Sequence, residues 1–255
     1  MKNILFTLAL LVSFSSCEQT PDAVYNNILQ GLEKGFRQSA ITGFNERAIS
    51  KMNLKDYNGA IADLTKVIDY ETENNFSSSK EKLAKKLGIT VEELENRIQK
   101  DKEAVTDDYA LAYNNRGWSK HNLKDDNGAI ADYTKAIELN PDYALAYFNR
   151  GYSKGELKDH DGAKSDYTKA IELNPNYAMA YNNRGYSKSI LEDYNGAIAD
   201  YNKAIELDPN NSLAYANRGI SKYILGDLNG ACDDAKKVAN LGDTDAAKWV
   251  AENCN

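Results

Sequence analysis

The sequence contains few of the residues that usually carry metal or acid–base chemistry. Among its 255 residues are two histidines, three cysteines and four prolines. Zinc sites need clusters of histidine, cysteine and carboxylate ligands, and many acid–base centres use histidine. The sequence also has no evident nucleophile–base pair or nucleotide-binding loop. We therefore expect no cofactor, no bound metal and no enzymatic activity.

Basic residues are outnumbered by acidic ones. The chain has 31 lysines and arginines against 38 aspartates and glutamates, which gives a formal net charge of -7. A surface that binds phosphate backbones has to be basic, so we expect no nucleic-acid partner. Hydrophobic residues make up 42% and charged residues 27% of the chain, which is the composition of a globular protein.

No apolar run in the sequence approaches the length of a membrane span. The most apolar stretch, Ile4–Phe14, has 11 residues and follows the basic start Met1-Lys2-Asn3. A helix that spans a bilayer needs about 20 apolar residues, whereas a short run after a basic start is typical of a signal peptide. Residues 1–16 are therefore predicted to be a signal peptide.

The cysteine that follows this segment resembles the lipidated cysteine of bacterial lipoproteins. Small residues Ser15 and Ser16 precede Cys17, although Phe14 stands where that family usually has leucine. The resemblance implies cleavage before Cys17 and lipidation there. The protein would then be attached to a membrane of the bacterial cell envelope, facing the periplasm or the cell surface, through the lipid anchor only. The alternative is ordinary secretion of a soluble protein, with Ser13 and Ser15 as the small pair before the cut.

A period of 34 residues runs through most of the remaining chain. Three kinds of residue keep it: Gly117, Gly151, Gly185 and Gly219; Ala129, Ala163, Ala197 and Ala231; Pro141, Pro175 and Pro209. The period defines the units 110–143, 144–177, 178–211 and 212–243, and a similar unit lies upstream over 41–74. Such a period indicates a repeat architecture, in which stacked units bury a core that one unit cannot.

Each unit has the pattern of two helices joined by a turn. In the unit 178–211, apolar residues recur at helical spacing on both sides of Asn195-Gly196. Glycine tolerates the tight turn there, and the second helix should end before Pro209 because the residue preceding a proline disfavours helical geometry. We expect the small Gly185 to let the two helices approach closely while Tyr201 fills the space between them.

This pattern resembles the tetratricopeptide repeat family. In the unit 144–177 the resemblance rests on Tyr147, Gly151, Ala163, Tyr167, Ala170 and Pro175. It implies an all-α fold, a right-handed α-α superhelix of antiparallel helical hairpins whose first helices line a concave groove. The function it implies is the binding of peptides or partner proteins.

By this resemblance, one set of first-helix residues is turned toward the groove and is predicted to bind the ligand. It consists of Leu111, Asn115, Trp118, Phe148, Asn149, Tyr152, Met179, Asn183, Tyr186 and Asn217. The set contains no lysine or arginine, so a ligand held by its C-terminal carboxylate is not expected. The asparagines have two interpretations: their amides pair with the main chain of an extended peptide, or they are present by ancestry.

Three segments lie outside the clean repeats. Residues 75–109 have an apolar stripe at helical spacing and a capping box, Thr90-x-x-Glu93. We predict that they form a degenerate helical hairpin stacked in register as a further repeat. Residues 244–255 are predicted to form a C-terminal capping helix with Thr244 as its N-cap. Residues 17–40 are predicted to form a polar tether and an N-terminal helix.

The two remaining cysteines, Cys232 and Cys254, are predicted to form a disulfide. Export would place them in an oxidising compartment. The helices that carry them should be antiparallel about a turn near Gly242, with one cysteine 10 residues before it (242 - 232) and the other 12 after (254 - 242). The other interpretation is that they are two small buried residues.

The remaining recurrent polar residues are expected to have structural roles. Ion pairs between helices are expected for Arg116, Arg150, Arg184 and Arg218. Pairs three residues apart within a helix are expected for Asp132 with Lys135, Asp166 with Lys169, and Asp200 with Lys203. His121 and His160 lie in turn regions and are expected to be exposed to solvent.

Together these features predict a non-catalytic, envelope-anchored scaffold that binds a protein or peptide in its concave groove. One alternative is a structural subunit of an envelope assembly complex, in which the convex face and the termini matter more than the groove. The other is an enzyme with a site in 75–109, a segment that lacks a nucleophile–base pair. The sequence alone defines neither the partner nor the oligomeric state.

Overall fold

The structure is a computed structural model that describes residues 38–72 and 90–254. The predicted signal peptide, the lipidation site and the predicted tether and helix up to residue 37 lie outside the described residues, as does the segment 73–89. All regular secondary structure in the described ranges is α-helical.

Eleven helices lie within the described ranges. They are α1 (38–53), α2 (Tyr57–Thr72), α3 (Val91–Asn122), α4 (Asp126–Leu139), α5 (Ala144–Glu156), α6 (His160–Leu173), α7 (Ala178–Ile190), α8 (Tyr194–Leu207), α9 (Ser212–Ile224), α10 (Leu228–Asn240) and α11 (Thr244–Asn253). The last four units thus each contain two helices, and α5, α7 and α9 begin at the first residue of the units predicted from the period.

An aspartate caps the second helix of each hairpin. The Asp159 carboxylate accepts a hydrogen bond from the backbone N–H of Gly162, which satisfies a donor that the helix start leaves unpaired. A Cβ atom at position 162 would lie 2.1 Å from a carboxylate oxygen of Asp159, so the capping geometry requires glycine. The second helices end before the prolines, as predicted: α8 ends at Leu207, two residues before Pro209.

A tyrosine fills the space between the two helices of a hairpin. Tyr201 on α8 is 1% exposed, and its ring lies so close to Gly185 on α7 that a Cβ there would come within 2.8 Å of it. The same arrangement joins Tyr133 to Gly117. The predicted close approach of the two helices is therefore confirmed.

The hairpins stack into an array whose first helices face inward. Each second helix packs on the first helix of the following unit. The first helices α3, α5, α7 and α9 also contact one another in succession, and no contact of similar extent joins second helices of the described units. The fold is therefore the predicted all-α, right-handed superhelix, with α3, α5, α7 and α9 on its concave face.

The units that flank the segment 75–109 pack directly against each other, so the prediction of a further repeat stacked between them is wrong. Helix α2 packs directly against α3, and the two flanking units share one hydrophobic core. The Arg116 guanidinium donates to the Thr65 hydroxyl at 3.3 Å across 51 residues, and the corresponding contact joins Arg150 to Thr134 across 16 residues. The 35 additional residues (51 - 16) are therefore inserted without interrupting the stack.

The predicted boundary between residues 109 and 110 lies inside the long helix α3. Its predicted capping box is confirmed, because Thr90 Oγ1 accepts from the Glu93 N–H at 3.0 Å and the Glu93 carboxylate accepts from the Thr90 N–H. Asp107 stands where the next unit has Pro141, so nothing ends the helix there. With 32 residues, α3 is about 48 Å long and extends beyond the 13-residue first helices of the following units.

The C-terminal helix α11 begins at the predicted residue, Thr244, but ends at Asn253 and has a different N-cap. The Asp243 carboxylate, rather than the Thr244 hydroxyl, accepts from a backbone N–H, that of Ala246. None of the side chains of α11 is fully buried. The Trp249 ring packs edge-on against Tyr223 with 6.1 Å between centroids, and a disulfide between Cys232 and Cys254 ties the end of α11 to α10.

Replacing Cys254 with serine is expected to loosen α11 and to leave the other repeats folded. The chain-entropy model gives roughly 3 kcal/mol for a loop of this size. We expect a smaller loss of unfolding free energy, about 1 kcal/mol, because a terminal helix in a linear array contacts only its neighbour. Hydrogen exchange should accelerate in 244–253 and stay unchanged in 144–211. Two free thiols in the purified protein would contradict the predicted pairing.

Candidate binding groove

Exposed apolar side chains recur at the 34-residue period along the concave face. They are Trp118, Leu145, Tyr152, Met179, Tyr186, Leu213 and Ile220. Tyr152 is 37% exposed, and the exposure increases toward the C-terminus, to 50% for Tyr186 and 57% for Ile220. Scattered exposed apolar residues are ordinary, but a continuous row on one face indicates an interaction surface.

The apolar row is wider than the sequence analysis predicted. Ile190 and Ile224 are about half exposed, and each follows a member of the row by four residues on the same helix. Tyr223, beside Ile224, is also exposed. Residues four apart lie on the same helix face, so continuing the spacing from Tyr186 and Ile220 would have identified the two isoleucines.

Phe148 belongs to the core rather than to the open groove, which corrects its predicted role. It is 8% exposed and packs against Tyr177 with 4.8 Å between ring centroids, in a cluster that includes Tyr167. Neighbouring units have Asn114 and Asn182 at the same position. A large aromatic ring at this position reaches the inter-unit core, where it is removed from water. Leu111 is likewise partly buried.

Two of the predicted asparagines form hydrogen bonds between adjacent units. The Asn149 amide donates to Asn114 Oδ1 at 3.0 Å, and the Asn217 amide donates to Asn182 Oδ1 at 3.4 Å. Asn149 is buried and Asn217 is partly buried. A buried amide needs protein partners, and here the partners are other asparagines. These asparagines therefore link adjacent units, a structural role that neither of the two interpretations from sequence considered.

The other two predicted asparagines are similarly engaged. Asn115 Oδ1 accepts from the Asn114 amide at 3.3 Å, and Asn183 Oδ1 accepts from the Asn182 amide at 3.1 Å. Asn115 is buried, whereas Asn183 is partly exposed and also hydrogen-bonds the Tyr167 hydroxyl. Burial raises the pKa of Tyr167 above its usual range, and the hydrogen bond from Asn183 opposes that rise. Of the four, Asn183 is placed best for a ligand.

His121 is buried beneath an aromatic cluster, so the prediction that it is exposed is wrong. It is 7% exposed, and its Nδ1 lies 2.5 Å from Asp126 Oδ1. Its ring lies 5.5 Å from that of Trp118 and 5.1 Å, edge-on, from that of Tyr152. The carboxylate fixes the imidazole between two groove residues, which holds their rings in place. The Ser153 hydroxyl, which is fully buried, also lies 3.4 Å from His121 Nδ1.

One arginine and one lysine of each first helix are paired away from the groove. Arg184 binds the Asp200 carboxylate through two N–H···O bonds of 2.9 and 2.6 Å, and Lys188 binds it at 2.8 Å. Equivalent trios, each an arginine, an aspartate and a lysine, are Arg47, Asp63 and Lys51; Arg116, Asp132 and Lys120; Arg150, Asp166 and Lys154; Arg218, Asp234 and Lys222. The predicted ion pairs of the arginines are confirmed.

The predicted aspartate–lysine pairs within the second helices do not form. Lys203 binds Glu206 at 2.6 Å instead of Asp200, because Asp200 is turned inward toward the first helix. Lys135 and Lys169 likewise bind Glu138 and Glu172. Sequence spacing alone could not tell which acidic residue each lysine binds, since the aspartate and the glutamate each lie three residues from the same lysine.

Two further features of the described part of the chain bear on chemistry. In it, no three side chains of His, Cys, Asp or Glu are grouped as a metal site would require. None of the helices there combines the length and the apolar character needed to cross a membrane.

Stacked helical hairpins with an inward row of exposed apolar side chains define a helical-repeat solenoid. Models of the family described as "Tetratricopeptide repeat" match residues 144–177, 178–211 and 200–233, and one described as "TPR repeat" matches 119–158. The chain therefore carries tetratricopeptide repeats. No curated protein matches the sequence.

Solved structures of repeat proteins share the fold. A crystal structure of MamA has 22% sequence identity and a TM-score of 0.59, covering 78% of this chain and 96% of that one. MamA from Desulfovibrio magneticus RS-1 has 17% identity and a TM-score of 0.61, covering 79% and 94%. YrrB, a TPR protein, has 16% identity and a TM-score of 0.59, covering 82% and 90%. Similarity at these identities concerns the fold.

Proposed function

We propose that this protein is a non-catalytic scaffold that binds a peptide or protein segment in the groove formed by α3, α5, α7 and α9. The observation that carries the proposal is the row of exposed apolar side chains from Trp118 to Ile220. Covering such a row removes apolar surface from water, and large aromatic side chains are favoured anchors at interfaces. YrrB is described as having an unusual peptide-binding site, so an array of this fold can accommodate a peptide.

Apolar side chains, rather than the asparagine row, would supply most of the binding energy. The asparagine amides already pair within the protein, whereas the side chains of Met179 and Tyr186 are 56% and 50% exposed. Because Arg150, Lys154, Arg184 and Lys188 on α5 and α7 are bound to buried aspartates, binding should depend only weakly on salt.

The double change Met179→Ala with Tyr186→Ala is expected to weaken peptide binding about 30-fold. Each of the two side chains is assigned about 1 kcal/mol of binding free energy. A loss of about 2 kcal/mol corresponds to about 30-fold, because 1.4 kcal/mol changes the affinity tenfold. The peptides would be selected from a random twelve-residue display library on the wild-type protein. They would then be titrated against both proteins by fluorescence anisotropy. Far-ultraviolet circular dichroism and melting would show that the variant keeps its fold.

Leu191→Ala with Leu225→Ala is a matched control for that variant. These leucines are exposed at hairpin turns outside the groove row, so the change removes apolar surface elsewhere, on the same unit and on the next one. Equal binding by the wild-type and the groove variant would contradict the proposed site. It would favour a structural subunit that uses its convex face or its ends.

We also propose that the protein is exported and held on a membrane of the bacterial cell envelope by lipid on Cys17. This proposal rests on the sequence of residues 1–17. A single acyl chain gives weak attachment and several give stable attachment, and the lipoprotein modification supplies more than one. Cys17→Ser is expected to shift the protein from the membrane to the soluble fraction on ultracentrifugation. An unmodified serine at the mature N-terminus, found by mass spectrometry, would contradict the proposal.

A further inference from the structure

The concave face carries a single charged side chain of the Asp, Glu, Lys or Arg type in the four units 110–243. The face comprises four first-helix positions, which in the unit 144–177 are Leu145, Tyr152, Gly155 and Glu156, and is bordered by a fifth, that of Phe148, whose ring is turned into the core. Among the twenty residues at these positions (five in each of four units), Glu156 is the only such residue. The equivalent positions in the next two units hold Ile190 and Ile224.

Glu156 lies in the open part of the groove. It is exposed in the last turn of α5, four residues after Tyr152 and therefore on the same helix face. Burial is the main cause of the raised pKa of Tyr167, and both the Tyr152 hydroxyl and the Glu156 charge add to it. Both groups therefore act electrostatically on the buried Tyr167 of the adjoining helix α6.

Nearby cations on the first helices are committed to other carboxylates. Lys154 on the same helix binds Asp166 at 2.8 Å, and Lys188 on α7 binds Asp200 at 2.8 Å. In the described part of the chain no ion pair is formed by Glu156, so water solvates its carboxylate while the groove is open.

A ligand that covers the apolar row also removes water from Glu156. Burying an unpaired carboxylate is costly, and the cost falls when the ligand places a cation against it. We propose that the groove selects peptide segments in which one lysine or arginine is flanked by apolar side chains, with the cation on Glu156 and the Tyr152 ring. A cation beside an aromatic ring is also attracted to its face. The inference rests on the proposed function and adds the chemistry of the ligand.

The test uses a synthetic pool of ten-residue peptides, acetylated and amidated so that their ends carry no charge. The central residue is lysine, glutamine or glutamate, and the other positions are drawn from Leu, Ile, Tyr, Ala and Ser. Binding to the wild-type protein is measured by fluorescence anisotropy. Lysine peptides are expected to bind about fivefold more tightly than glutamine peptides, as for a partly exposed ion pair with a ring contact, and glutamate peptides still more weakly.

Two variants test whether Glu156 causes the preference for lysine peptides. Glu156→Gln is expected to abolish the lysine preference, and Glu156→Lys to reverse it in favour of glutamate. Glu172→Gln is the matched control, because it removes an exposed carboxylate that is paired with Lys169 on α6, outside the concave face, and it should leave the preference unchanged.

The outcomes separate the two proposals. If the wild-type protein binds the pool but treats lysine and glutamine peptides alike, or if Glu156→Gln keeps the preference, the inference about charge is overturned and apolar groove binding stands. If no peptide binds the wild-type protein, the proposed groove function itself fails, and this inference fails with it.

Discussion

An Asp200→Asn variant is expected to lose about 3 kcal/mol of unfolding free energy. Asp200 is 4% exposed and neutralises both Arg184 and Lys188, whose side chains are only 16% and 21% exposed. Removing one partner of a buried ion pair leaves the remaining charge without compensation, which typically costs 3–5 kcal/mol. The partial exposure of both cations places the expected loss at the lower end. Urea unfolding followed by circular dichroism would measure it.

Glu206→Gln on the same helix provides the control for charge removal. Glu206 pairs with Lys203 at 2.6 Å, but these side chains are 67% and 38% exposed. Exposed pairs contribute about 0–1 kcal/mol and are screened by salt, so this variant should differ little from the wild type, particularly at high ionic strength. Similar losses in the two variants would show that the buried trio has no special energetic role.

The trios also connect successive units. Arg184 Nη1 donates to the Thr168 hydroxyl of the preceding unit at 3.3 Å while its other nitrogens bind Asp200. A repeat array unfolds as one unit only when its interfaces are strong relative to the intrinsic instability of each repeat. The Asp200→Asn variant should therefore show a broader urea transition as well as a lower midpoint.

The sequence was sufficient to predict the repeating hairpins because the same local constraints recur every 34 residues. Glycine beside tyrosine, aspartate before the second helix and proline after it each have a local physical reason, and the structure shows each one. The inserted segment was predicted wrongly because its length is nearly that of a repeat. Only three-dimensional contacts, such as the packing of α2 against α3 and the hydrogen bond from Arg116 to Thr65, show that the flanking units meet directly.

The sequence was sufficient to predict which helix face forms the groove, but not how deeply each residue on that face is buried. The period identifies equivalent positions, yet equivalent residues differ in burial: Asn149 is buried, whereas Asn183 and Asn217 at the same position of the next two units are partly exposed. Burial depends on which unit lies on either side, and a single repeat does not contain that information. His121 was misjudged for the same reason, because its partners Asp126 and Tyr152 come from a different helix and a different unit.

Gly185→Ala is expected to cost about 2 kcal/mol, whereas Gly219→Ala should be nearly neutral. At position 185 a Cβ would lie 2.8 Å from the ring of Tyr201, which is 1% exposed and has little room to move. Overpacking of this kind costs about 1–3 kcal/mol, partly offset by the better helix propensity of alanine. At position 219 the unit has Ala235 instead of a tyrosine, and the nearest atom would be 3.2 Å away.

The unit 41–74 shows which second change should compensate. There Ala48 occupies the glycine position and Leu64 the tyrosine position, and both are fully buried. Tyr201→Leu should therefore destabilise the Gly185→Ala protein less than it destabilises the wild type, with a coupling free energy of about 1 kcal/mol or more. Urea unfolding of the four proteins of this double-mutant cycle measures that coupling. If the two losses of unfolding free energy are additive, the Tyr201 ring is not the reason for glycine at position 185, and the clash there is relieved in some other way.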